Sequence, residues 1–120
     1  MAKIIVIDDE IEACNALEEY LANKGHKITI AHDGKTALEK IKKFMPDVVL
    51  LDIIMPGMNG QEILEQIRKI APHINVIMVT VMDNEEQLLK SFELGAYDFL
   101  TKPLDFNRLE KVLSSIPINS

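Results

Sequence analysis

Ile4-Ile5-Val6-Ile7 runs directly into Asp8-Asp9-Glu10, and a short apolar run ending in reactive polar residues returns three more times. Val48-Val49-Leu50-Leu51 ends at Asp52, Asn75-Val76-Ile77-Met78-Val79 at Thr80, and Asp98-Phe99-Leu100-Thr101 at Lys102-Pro103. Runs this short, rich in Val and Ile and bounded by polar residues, read as strands buried on both faces of a parallel sheet. Ligands of such sheets collect at the carboxyl ends of the strands. The pattern therefore brings three carboxylates, a hydroxyl and an amine to one sheet edge.

Amphipathic stretches fill the gaps. Ile11, Cys14, Leu17 and Leu21 recur at helical spacing, and Gly25 is placed to end that helix. Lys27 to Ala31 makes a weaker second strand near an edge. Ala37, Leu38, Ile41 and Met45 mark a second helix, closed before Pro46, and Ile63, Leu64, Ile67 and Ile70 a third. Leu88, Phe92 and Leu94 lie on a fourth, ended by Gly95; Phe106, Leu109, Val112, Leu113 and Ile116 lie on a fifth. This alternation predicts an α/β fold: a doubly wound (βα)5 unit with a five-stranded parallel sheet and right-handed crossovers. The expected strand order is 2-1-3-4-5, whose switch point falls between the strands ending in Asp8-Asp9 and Asp52. Residues 1–120 read as one domain, with no linker, internal repeat or output domain visible and a short tail from Pro117 to Ser120.

The bulk properties agree. A chain of 120 residues suits one domain burying roughly two thirds of its unfolded surface. Nineteen acidic against 13 basic side chains give a net charge of -6, without a basic stripe, which argues against direct nucleic-acid binding. Cys14, the lone cysteine, reads as a buried thiol in a reducing compartment. No apolar run approaches the ~18 residues that span a bilayer. Met1-Ala2-Lys3-Ile4 lacks a secretory signal's apolar stretch, so a cytoplasmic protein is expected, with no membrane partner.

A strand-end Asp can simply cap a helix. Three carboxylates gathered at one switch point are different, because their repulsion needs a positive group among them. Oxygen-only ligation of this kind suits Mg²⁺, with Mn²⁺ as the alternative. His26, His32 and His73 lie apart and lack metal spacing. Lys102 supplies a compact positive charge suited to a phosphoryl oxygen, and the following Pro103 permits a cis bond. The Thr80 hydroxyl can cap or can donate to the same oxygen.

Taken together, Asp8-Asp9, the segment Asp52-Ile53-Ile54-Met55-Pro56-Gly57-Met58-Asn59-Gly60, Thr80 and Lys102-Pro103 resemble the receiver domains of bacterial two-component response regulators. The resemblance covers essentially the whole chain, in matching order and spacing, and implies a flavodoxin-like fold. It implies that Asp52 accepts a phosphoryl group from a sensor histidine kinase or a histidine phosphotransfer protein. Asp8, Asp9, Asp52 and the backbone carbonyl of Ile54 would hold Mg²⁺, and Thr80 and Lys102 would bind the phosphoryl oxygens. Pro56 and Gly60 match the turn after the acceptor. Thr80 and Phe99 match the switch pair, whose movement a downstream protein reads on the fourth helix, fifth strand and fifth helix, where Lys90, Glu93, Tyr97 and Arg108 are candidates. Such a domain catalyses only its own phosphorylation and dephosphorylation.

Val81 departs from the small residue usual after the threonine. Ile54 and Met82 are apolar where polar residues could orient water, so slow loss of the phosphoryl group is expected. The rivals are a degenerate receiver acting only as a docking platform and a Mg²⁺-dependent phosphatase with an aspartate nucleophile. A flavodoxin-like cofactor binder fits less well, because no phosphate-cradling Gly/Ser/Thr loop follows the first strand.

Overall fold

The computed structural model describes residues 2–53, 55, 57, 59–81 and 85–117. Its elements run β1 (Lys3–Ile7), α1 (Ile11–Asn23), β2 (Lys27–Ala31), α2 (Gly34–Phe44), β3 (Val48–Asp52), α3 (Gly60–Ile70), β4 (Asn75–Thr80), α4 (Glu85–Glu93), β5 (Asp98–Thr101) and α5 (Phe106–Ser115). The five strands pair in parallel in the order β2-β1-β3-β4-β5. Ile54, Pro56 and Met82, singled out from the sequence, lie outside the described residues. Among the described residues no helix is long and apolar enough to cross a membrane.

Side chains alternate across a strand, so each apolar run feeds two cores at once. Ile5, Ile7, Val49, Leu51, Val76 and Met78 meet Ala37 and Ile41 of α2 and Ile63, Leu64 and Ile67 of α3. Ile4, Val6, Val48, Leu50, Ile77 and Val79 meet Cys14, Leu17 and Leu21 of α1 and Leu109, Val112 and Leu113 of α5. This burial on both faces is why the inner strands carry polar residues only at their first and last positions. β2 is only partly buried, as expected of an edge. Gly25 (φ 91°) and Gly95 (φ 98°) follow α1 and α4 in the left-handed region that glycine tolerates.

Several positions on the helical stripes depart from full burial. Ile11 is 62% exposed and Ile70 40%, because the first residue of α1 and the last of α3 run past the turns that the sheet covers. Met45, 55% exposed, follows α2 in a left-handed conformation (φ 52°), since Pro46 disfavours a helical residue before it. On α4, Phe92 is 42% exposed and Leu88 half-buried, and the helix buries only Ser91 among its own residues.

Gly60 opens α3 for a steric reason. Its N–H donates to the Ile53 carbonyl at 2.7 Å, and a Cβ there would stand 2.6 Å from the Ile53 Cα and 2.7 Å from the Asp52 oxygen. Backbone cannot yield as a flexible side chain does. Gly60→Ala is therefore expected to destabilise the fold by about 1–3 kcal/mol, read as a lower urea midpoint.

Candidate functional site

β2 lies on one side of β1 and β3 on the other, so the connections leaving β1 and β3 diverge and open a crevice at their carboxyl ends. The register Ile7↔Leu51 places Asp8, just beyond β1, beside Asp52 at the end of β3. Asp8, Asp9 and Asp52 each offer one carboxylate oxygen, and these oxygens all lie within 4.8 Å of one another. Asp8 and Asp52 are buried, while Asp9 is open to solvent.

The positive group that this cluster requires comes from β5. Thr80 pairs with Thr101, and the next N–H, of Lys102, donates to the Thr80 carbonyl at 2.8 Å. The Lys102-Pro103 peptide is cis. Lys102 Nζ then donates to Asp8 Oδ2 at 2.9 Å, Asp52 Oδ2 at 3.2 Å and Glu10 Oε1 at 3.3 Å. Burial alone would lower its pKa; the hydrogen bond to Asp8 and the charges of Asp52 and Asp8 outweigh that and hold it above the ordinary lysine value. One ammonium faces the carboxylates of Asp8, Asp9, Glu10 and Asp52, so an excess of negative charge remains.

Asp8 is tied down on every side. Its N–H donates to the Ala31 carbonyl at 3.1 Å, and its Oδ1 accepts the Glu10 N–H at 2.9 Å. Its carbonyl accepts His32 Nδ1 at 2.9 Å and the Cys14 thiol at 3.4 Å. Burial first, then the nearby Asp8 charge, push the Cys14 pKa up to about 11, so this fully buried thiol stays protonated. Neither Glu10 as a partner of Lys102 nor His32 as a partner of Asp8 was expected from the sequence. Glu10 has a signal, since it directly follows Asp8-Asp9; His32 has none beyond its place at the end of β2.

Thr80 ends β4 on the same sheet edge and is buried. Asp52 stands opposite Val79, one residue before it. Phe99, half-buried on β5 opposite Met78, meets Phe92 of α4 edge-on at 6.0 Å between ring centroids. A cleft of about 470 Å³ opens beside Asp8 and Lys102, walled by Ala13 and Leu17 of α1 and by Leu104 and Phe106.

The donor set fits a hard divalent cation. The gathered ligand atoms are all carboxylate oxygens, the donor type that a hard cation such as Mg²⁺ takes.

Residues 4–114 match the family model described as the response regulator receiver domain. The chain belongs to that family. The receiver domain is 38% identical over 111 residues to the transcriptional regulatory protein ZraR of Klebsiella oxytoca, a match covering 92% of this chain and 25% of that protein. It thus spans about a quarter of the length of the curated relatives it matches. Among solved structures it resembles the Vibrio cholerae chemotaxis protein CheY4, with a TM-score of 0.92 at 29% identity, covering 98% of this chain and 99% of that one. It also resembles the BeF3-activated N-terminal receiver domain of Klebsiella pneumoniae RstA, with a TM-score of 0.87 at 28% identity, covering 93% and 95%.

The raised Lys102 pKa has a definite consequence. A group whose folded pKa exceeds its unfolded value, about 10.4, contributes stability in full below that value and loses it as pH rises through the folded one. In chelator, the stability gap between the receiver domain and Lys102→Met is expected to hold from neutral pH to about pH 9 and to narrow above about pH 11. Urea denaturation across alkaline pH checks this.

Proposed function

We propose that this receiver domain is a phosphoacceptor switch in which Asp52 takes a phosphoryl group from a sensor histidine kinase or a histidine phosphotransfer protein. The observation that carries the reading is Lys102 Nζ held between Asp8 and Asp52 at the switch point of the sheet. Asp8, Asp9 and Asp52, with the Ile54 backbone carbonyl, would hold Mg²⁺. Bound there, the ion supplies positive charge against the phosphoryl oxygens.

A carboxylate attacking a phosphoryl group meets a negatively charged electrophile, so neutralising charge and fixing geometry do most of the work. Asp52 Oδ forms the new O–P bond as the P–N bond to the donor imidazole breaks, and that imidazole keeps the electron pair and takes up a proton. Lys102 exchanges its contact with Asp52 for an oxygen of the transferred group, and Thr80 donates its hydroxyl to another. The cleft between α1 and Leu104-Phe106 is lined by apolar side chains together with Asp8, Glu10 and Lys102, which suits an incoming donor helix. We place the domain in the cytoplasm as a single unit over residues 1–120, catalysing only its own phosphorylation and dephosphorylation.

The output follows from population shift, since a ligand moves an equilibrium only by its differential interaction with the two states. Thr80 moves toward the phosphoryl group and Phe99 turns inward behind it. Phe99 carries no hydroxyl, so it needs no buried partner when it turns. The responding face is α4-β5-α5, where Leu89 is 62% exposed, Arg108 stands 4.0 Å from Asp98 and the Tyr97 hydroxyl donates to the Ser115 carbonyl. The acidic set, Thr80 and Lys102 all stand at one edge, which favours this reading over a docking platform without phosphoryl chemistry.

Incubation with Mg²⁺ and a cognate kinase or acetyl phosphate is expected to add one phosphoryl group by intact mass. Neither Asp52→Asn nor the metal-free protein should gain it; undiminished labelling of Asp52→Asn would sink the assignment. The lifetime of the adduct is a separate matter. Val81, 67% exposed, lines the cleft beside Lys102 and narrows the approach, and Ile54 and Met82 offer no polar group to align water. Slow hydrolysis is expected, sped by polar replacement of Ile54 or Met82 in a phosphate-release time course. Release rates unchanged in both variants would count against that account.

A further inference from the structure

We propose that His32 is a positioning residue for the cation site, acting through the main chain of Asp8. The inference rests on the reading of Asp8, Asp9 and Asp52 as the cation ligands. β1 and β2 run in register from Lys3↔Lys27 to Ile7↔Ala31, and the ladder takes one more bond, from the Asp8 N–H to the Ala31 carbonyl. β2 then ends, and Asp33 turns away to cap α2 through the Thr36 N–H. The Asp8 carbonyl would otherwise lose its sheet partner at the residue whose carboxylate must be held in place. The His32 ring fills that gap at 2.9 Å. A carbonyl only accepts, so Nδ1 carries the proton.

The Cys14 thiol approaches the same oxygen at 3.4 Å, so two donors from two elements, α1 and the end of β2, fix one carbonyl. With Ala31 on its N–H, the Asp8 main chain is clamped on both sides. Its carboxylate then has little freedom to drift from Asp52. Partners outside a metal's direct ligands that orient those ligands matter this way in many sites.

The chemistry predicts an unusual rescue pattern. Asparagine places an amide N–H the same number of bonds from Cβ as Nδ1, whereas glutamine carries its amide one bond farther. Mg²⁺ dissociation constants are read from backbone amide shifts at one pH above the imidazole range, with Tm in chelator measured alongside. His32→Phe and His32→Gln are expected to bind Mg²⁺ about tenfold more weakly than the unaltered protein, and His32→Asn within roughly twofold of it. Tm in chelator should barely move, because His32 is an exposed residue outside both apolar cores.

Wild-type affinity in His32→Phe, or no recovery in His32→Asn, would overturn the proposal. So would a Tm loss that tracks the affinity loss, which would leave His32 a merely structural role. An unaltered protein that failed to bind Mg²⁺ would remove the cation-site reading itself, and this inference with it.

Discussion

Lys102 reaches from the end of β5 across the sheet edge to Asp8 and Asp52, and this contact makes the crevice tenable. Two buried carboxylates placed side by side by strand register repel each other in a medium that screens poorly. The ammonium between them turns that repulsion into two ion pairs. It also joins the middle of the sheet to its edge, since β5 is the edge strand beside β4. A cation entering the pocket competes with this lysine for the carboxylates, and an anion competes with the carboxylates for the lysine. The site is therefore preloaded: its resting contacts run between the same groups that the proposed chemistry engages.

The strands were legible because burial on both faces leaves a run that is apolar at every position. No other short element of a soluble protein reads that way so consistently. Val48–Asp52 and Asn75–Thr80 end where their polar residues stand. Helix centres were legible for a related reason, as Leu17, Ile41 and Ile63 each face a strand. Helix ends were legible where Gly25, Pro46 and Gly95 mark them, but not from periodicity. Ile11, Met45 and Ile70 continue the apolar period past the point where the sheet stops covering it, and periodicity carries no record of where that edge lies.

The acidic cluster and Lys102 could be found because side-chain type at a strand end is itself the signal. His32 could not, because it acts on a backbone carbonyl, a group that every residue possesses. Gly60 lies between these cases. Its presence was expected from the turn, but the cause is spatial: the start of α3 passes too close to the backbone of Asp52 and Ile53 to admit a Cβ. A main-chain approach of that kind leaves only the small residue as its trace.

The weakly packed α4 bears on how a change at Asp52 could travel. This helix is held by the Gln61 amide donating to the Gln87 carbonyl, by the buried Ser91, and by Phe92 against the edge of Phe99. Contacts of these kinds are worth roughly 1 kcal/mol each. Reversing a 1:99 population to 99:1 takes about 5.5 kcal/mol. A charge-assisted hydrogen bond is worth roughly 1.5–3 kcal/mol, so a new one from Thr80 to a phosphoryl group would supply part of that bias, while Lys102 would exchange one partner for another. Under the proposed switch, Phe99 would be the mechanical link, because turning inward would remove the ring against which Phe92 rests. The half-exposed Phe92 fits the helix that the proposed switch would displace, because that side chain is only partly buried against the core.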